Sequence, residues 1–101
     1  MIYITQLIYI KPGQEQVFHQ FEAIAIPIIA KYNGNMLFRL RPAEVDFIEC
    51  NVEKPYEIHF TEFGSEADLQ NFMKDEERKR FLYLKEQSIR SAVLYRGEKI
   101  G

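Results

Sequence analysis

The sequence predicts an α+β fold in which four strands form one antiparallel sheet and two helices cover one of its sides. Three observations carry that expectation. Strand-length runs rich in β-branched and aromatic residues occur at 2–10, 36–41, 56–63 and 91–96. Apolar residues recur at helical spacing across 14–31, and again from about 66 to 84. The resulting order is strand, helix, strand, strand, helix, strand, and two β-α-β halves of this kind close into one antiparallel sheet with both helices on the same side, the ferredoxin-like arrangement.

The first run, Ile2–Ile10, is closed by Lys11-Pro12-Gly13. Val17, Phe18, Phe21, Ile24, Ala25 and Ile28 then cover one face of a helix from about Gln14 to Lys31, which Pro27 is expected to kink or split near Ile26. Asn33-Gly34-Asn35 ends it, with Gly34 in the left-handed cap conformation. Met36–Arg41 is the second strand, stopped by Pro42, and the connection to Pro55 contains a strand-like piece, Val45–Glu49. Tyr56–Phe63 is the third strand. Ser65-Glu66-Ala67-Asp68 matches a capping box ahead of Leu69, Phe72 and Met73, and Asp75-Glu76-Glu77 starts another helical turn or two that carries Phe81, Leu82 and Leu84. Ser91–Arg96, ending at Gly97, is the last strand.

Composition narrows the function classes. With 101 residues, 47% hydrophobic and 28% charged, the chain reads as a single domain over 1–101 with a thin core. A net charge of −2 excludes the basic surplus of a nucleic-acid-binding domain. The lone Cys50 excludes an internal disulfide framework, suits a reducing compartment and reads as an idle thiol. There is no zinc-type Cys/His spacing, no phosphate-cradling glycine loop and no nucleophile elbow. Met1–Gly13 lacks the features of a signal peptide, and no apolar run approaches the roughly 20 residues of a membrane span, so a cytoplasmic protein without a membrane partner is expected.

Strand parity suggests an assembly. Ile2, Ile4, Ile8 and Ile10 share one face of the first strand with Gln6, while Tyr3, Thr5, Leu7 and Tyr9 make the other face substantially apolar too. Two helices cover only one side of such a sheet, and a soluble monomer avoids exposing the rest. A second copy, sheet against sheet in a two-fold homodimer, is the simplest cover; a solvated apolar face is the alternative.

Tyr9-Ile10-Lys11-Pro12-Gly13 leading into a helix is similar to the strand end of the antibiotic-biosynthesis-monooxygenase type of dimeric α+β barrel. Pro27-Ile28-Ile29-Ala30-Lys31-Tyr32-Asn33-Gly34, followed by Leu37 and Arg39, resembles a sister family of small uncharacterised proteins. Phe63-Gly64-Ser65 with Ala67, Leu69 and Phe72 looks like the entry to the second helix in both. The resemblance spans nearly the whole chain and implies the ferredoxin-like fold and dimerisation. Its chemistry is open, because the superfamily holds cofactor-free oxygenases, haem-degrading enzymes, isomerases, dehydratases and ligand sensors.

His59 is the best candidate catalytic residue, because an imidazole titrating near neutrality suits a general base acting on a small enolic or phenolic substrate. The alternative is a histidine hydrogen-bonded at the dimer interface. Thr61 shares its face and can hold a substrate oxygen. Gln6, the polar residue on the isoleucine face, needs partners that a small cavity between sheet and helices would supply. Glu62 is expected to approach that same cavity, and burial there would call for a partner or a raised pKa. For both, the competing reading is a strand-end residue reaching solvent. Arg39 and Arg41 project from one face and either clamp a ligand carboxylate or form surface ion pairs. His19 is expected to be solvated, no metal site is expected, and Asp75–Arg80 reads as a solvated helix face with pairs such as Glu76–Arg80. The sequence therefore favours a homodimer that binds a small, partly apolar molecule, with any chemistry cofactor-free and acid/base or oxygenase-like. A non-catalytic ligand carrier or a structural accessory dimer is the alternative.

Overall fold

Strand β1 (Ile2–Ile10) lies at the centre of the computed structural model, which describes residues 1–101. It pairs antiparallel with β3 (Glu57–Phe63) on one side and β4 (Ile89–Gly97) on the other. β2 (Gly34–Leu40) adds to β3, giving the order β2-β3-β1-β4. β3 carries the clearest alternation: Glu57, His59, Thr61 and Phe63 are buried, while Ile58, Phe60 and Glu62 are not. This is the ferredoxin-like α+β fold expected from the order of runs.

Helix α1 (Glu15–Ile29) packs Phe18, Phe21, Ala25, Ile28 and Ile29 inward. Ile28 and Ile29 meet Ile4, Phe63, Leu69 and Phe72 in the main core cluster, which is where strands and helices join. Pro27 does not split α1. It is exposed, as is Ala23, whose carbonyl loses its helical donor, so solvent can satisfy that carbonyl. The second helical region is broken into α2 (Glu66–Met73), α3 (Glu76–Arg80) and α4 (Leu82–Ser88). The starts of α2 and α3 have local causes. Ser65 Oγ accepts from Asp68 N–H at 3.1 Å, and Asp75 Oδ1 accepts from Arg78 N–H at 2.8 Å. The return arm of the expected box is absent, because the Asp68 carboxylate takes Asn33 Nδ2 at 3.3 Å instead.

Two local expectations change. The left-handed residue after α1 is Asn33, at φ 56°, whose short polar side chain tolerates that region. Gly34 instead opens β2, and it is glycine because of a close approach: a Cβ there would lie 2.6 Å from Phe63 Cε1 and 2.9 Å from the Ile29 carbonyl oxygen. Residues 45–49 form no strand. A 3-10 turn at Glu44–Asp46 replaces it, with Asp46 Oδ2 accepting from Ala43 N–H at 2.7 Å. The connection is tied back where Tyr56 N–H meets Ile8 O and Tyr9 Oη donates to Glu53 O.

The molecule is 17 Å in its shortest dimension, the thickness of one sheet and one helix layer. The helix-free face is apolar, as strand parity implied. Tyr3 stacks on Phe60 at 5.8 Å between centroids, Phe38 lies 5.4 Å from Phe60, and Phe38, Leu40, Val93 and Tyr95 are exposed. No helix is long and apolar enough to cross a membrane.

Candidate functional site

Register brings the polar residues of the helix-side face together. Gln6 stands directly opposite His59 across β1 and β3, Ile4 opposite Thr61, and Ile8 opposite Glu57. On the other flank of β3, Arg39 is opposite His59 and Met36 opposite Thr61. Met36 and Arg39 differ by an odd number of residues yet share a face, because a bulge between Met36 and Phe38 absorbs one residue.

Onto this row α1 lowers Glu22, one turn beyond Phe18 in its buried stripe. Glu22, Glu57 and His59 are 4%, 1% and 8% exposed, and they form one hydrogen-bonded cluster. His59 Nε2 lies 3.1 Å from Glu22 Oε2 and also bonds Glu57 Oε2. Two half-exposed guanidinium groups close the cluster from the outside. Arg41 Nε donates to Glu57 Oε1 at 2.5 Å and its Nη2 to Glu22 Oε1 at 3.4 Å, while Arg39 Nη1 lies 3.3 Å from Glu22 Oε2. Every carboxylate oxygen of the pair therefore has a cationic or imidazole partner, which is what burial of two acids requires.

The neighbours push the two carboxyl groups apart. Burial raises Glu22, and sharing a hydrogen bond with Glu57 adds to this, while the bond to His59 pulls the other way; the result is upward. Burial also acts to raise Glu57, but the hydrogen bonds from His59, Glu22 and Arg41 outweigh it and bring Glu57 down to about 2. For His59 burial works downward and the two carboxylates win, so its pKa is raised. Glu57 is thus the group that stays ionised and orients the imidazole. Glu22 and His59 are the groups whose proton can move.

Glu22, Glu57 and His59 also have donor atoms within 4.8 Å of one another, a spacing a divalent metal could use. The surroundings speak for a network complete without one: a cation there would displace the His59 bonds and sit beside the guanidinium groups of Arg39 and Arg41.

The cluster forms part of the wall of a cavity of about 150 Å³ between sheet and helices. An apolar cavity of that size accepts a single aromatic ring. Gln6, His59 and Thr61 reach it from the sheet and Glu22 from α1, among walls that include Phe18, Phe21, Phe63 and Phe72. The Thr61 hydroxyl makes only a weak contact with Met36 Sδ at 3.5 Å.

Two expected ligand contacts lie elsewhere. Glu62 is on the helix-free face, opposite Tyr3 and beside Phe60, because its parity is that of Ile58 and Phe60 and not that of His59. It does not approach the helix-side cavity. Arg39 shares the face of His59 but stays outside the cavity, bound to Glu22. His19 is not merely solvated, since its Nε2 is 2.7 Å from Tyr56 Oη and the two rings stack. In 75–80 the Glu76–Arg80 pair is not formed and Arg78 turns inward, to 6% exposure.

Sequence reasoning passed over Glu22 and Glu57. The signals were present: Glu22 sits four residues after Phe18 and three before Ala25, and Glu57 has the parity of His59. A charge inside an apolar stripe is informative because its burial demands partners.

No family model matches this chain, and no curated protein matches it. Solved structures do share its fold. A protein of unknown function from Rhodopseudomonas palustris superposes with a TM-score of 0.82 at 12% identity, covering 99% of this chain and 82% of the other. A NIPSNAP family protein of unknown function from Agrobacterium tumefaciens gives 0.69 at 17% identity, covering 96% and 86%. A DABB family protein with a ferredoxin-like fold from Mesorhizobium loti gives 0.69 at 13% identity, covering 99% and 97%. These likenesses establish the ferredoxin-like fold.

Proposed function

We propose that this chain forms a homodimer through its helix-free sheet face and binds a small, partly apolar molecule in the sheet–helix cavity. There it moves a proton on that molecule by cofactor-free acid/base chemistry. The observation that carries this reading is the position of Glu22 and His59: two buried groups of raised pKa, held by an ionised Glu57, on the wall of an otherwise apolar cavity. Separating the pKa values of neighbouring groups is how a site assigns one to stay charged and another to exchange protons.

In this scheme the proton leaves an acidic C–H or O–H of the substrate for ionised Glu22, and His59 stabilises the pair through its shared bonds with Glu22 and Glu57. Gln6 and Thr61 hydrogen-bond the substrate oxygen that gains charge. Return of the same proton to a different atom of the substrate completes an isomerisation with no redox partner.

A second reading has its own support. All four oxygens of Glu22 and Glu57 are already engaged, and a network so fully satisfied also suits a non-catalytic carrier in which the cluster only shapes the cavity.

Native mass spectrometry of protein purified without denaturation tests the assembly and the cavity together. A dimer with extra mass that is lost on denaturation is expected, and the mass identifies the ligand for a turnover assay. His59→Gln and Glu22→Gln should then abolish turnover with binding retained. Binding with no turnover in the unmodified protein favours the carrier. A bare chain that also takes up no small aromatic probe overturns both readings.

A further inference from the structure

Two cations on the cavity wall form no salt bridge. Arg78 on α3 is 6% exposed and Lys85 on α4 is half-buried, and both line the space that His59, Gln6 and Thr61 reach from the opposite side. The chain's salt bridges are made by Arg39, Arg41, Lys54, His59, Arg90 and Arg96, and neither Arg78 nor Lys85 takes part. Arg78 has two compensations: Nη1 donates to Met73 O at 3.3 Å, and the guanidinium lies 5.1 Å above the Phe72 ring. The other guanidinium nitrogens have no protein partner, and neither is fully enclosed.

The acids that act on these cations do not pair with them. Asp75 opposes the burial of Arg78, but one of its oxygens caps α3 through Arg78 N–H and the other accepts from Tyr32 Oη at 2.6 Å. Glu86 is exposed. Glu22 is the sole carboxyl group lining the cavity, and His59, Arg39 and Arg41 hold it. Burial lowers the pKa of both cations. Lys85 is lowered further by Arg78, with Glu86 opposing, while Asp75 opposes the burial of Arg78; in both cases the downward causes win. Burying a guanidinium and bringing an ammonium near it is costly unless something anionic joins them.

We propose that the cavity takes a small organic carboxylate, aromatic or aliphatic, whose acid group is held by Arg78 and Lys85 while its apolar body fills the space beside His59. This deepens the function proposed above and rests on the cavity being a ligand site. A carboxylate offers the planar pair of acceptors that a guanidinium matches, and the phenyl-lined walls suit the remainder of the ligand. The arrangement also gives the acid/base cluster a direction. With its carboxylate held by α3 and α4, the ligand would present its carbon skeleton to His59 on the sheet and to Glu22 on α1.

The test is a titration followed by protein NMR at pH 7, using benzoate and hexanoate against their neutral counterparts benzamide and hexanamide. Expected is a preference of about tenfold or more for at least one acid over its amide. Arg78→Met and Lys85→Met should each remove most of that preference, lowering acid affinity more than amide affinity, and Lys85→Arg should keep it. Lys85 is half-buried, so its variants remain informative if Arg78→Met does not fold. Amides binding as well as the acids, or a preference that survives Lys85→Met, overturns the assignment of the anion while leaving the cavity a ligand site. No binding by any of the four probes overturns the cavity as a ligand site and this inference with it.

Discussion

His59 Nε2 lies 3.1 Å from Glu22 Oε2, joining residues 37 apart in the chain across the layer between sheet and helix. The contact places a titratable pair where α1 meets β3. It couples the protonation of the site to the docking of that helix, so pH should report on both.

Glu57 gives the clearest acid-side signature. Its folded pKa, about 2, lies below the ordinary 4.5, so its contribution to stability is complete above pH 4.5 and is lost as pH falls toward 2. Urea unfolding measured from pH 7 to pH 2.5 should therefore show a steep loss below pH 4.5. Glu57→Gln should flatten that limb, and an unchanged limb would mean that other carboxylates dominate it.

His59 acts with the opposite sign. Its folded pKa is raised above 6.5, so its contribution is fully present below pH 6.5 and declines as pH rises through the folded value. His59→Leu leaves two buried carboxylates without their shared donor and should cost roughly 3 kcal/mol near neutrality. The deficit should be larger at pH 6 than at pH 9, as chemical denaturation of both proteins would reveal.

Gly34→Ala should be destabilising by about 1–3 kcal/mol, because the new methyl group would meet both the Phe63 ring and the Ile29 backbone. The backbone atom cannot swing away as a side chain can. In a domain of this size the fall in Tm is about 4–8 °C per kcal/mol, so calorimetry detects it readily. Ser65→Ala, which removes only the α2 cap, should cost about 1 kcal/mol by the same measurement.

The helix-free face yields a prediction about assembly. Phe60 stands at its centre between Tyr3 and Phe38. Light scattering coupled to gel filtration should return twice the 12.0 kDa chain mass for the unmodified protein and a single chain mass for Phe60→Glu. Single chains in both cases would leave this face without its second copy.

Much of the architecture was legible before any coordinates. Strand runs, helix periodicity, and the caps at Ser65 and Asp75 are local signals, since each depends on residues within a turn or a pleat of one another. The same locality explains the misreadings. The neighbours of Gly34 in sequence suggest a cap, whereas Phe63, remote in sequence, and the end of α1 at Ile29 are what demand a residue without a side chain. Residues 45–49 have strand-like composition but no neighbouring strand to bond, so a short turn forms there instead.

By itself the sequence determined the α+β order, the two-faced sheet, and the parity that puts His59 and Thr61 on one face, but not which face looks at the helices, so Glu62 falls on the helix-free side against expectation. Tertiary structure alone decided which carboxylates His59 meets, that Arg39 and Arg41 hold those acids, and that Arg78 and Lys85 line the cavity without a salt-bridge partner. The physical reason is range. Backbone periodicity places a side chain on a face within a few residues, but the partner of a buried charge is chosen by inter-strand register and helix docking, which bring together groups far apart along the chain.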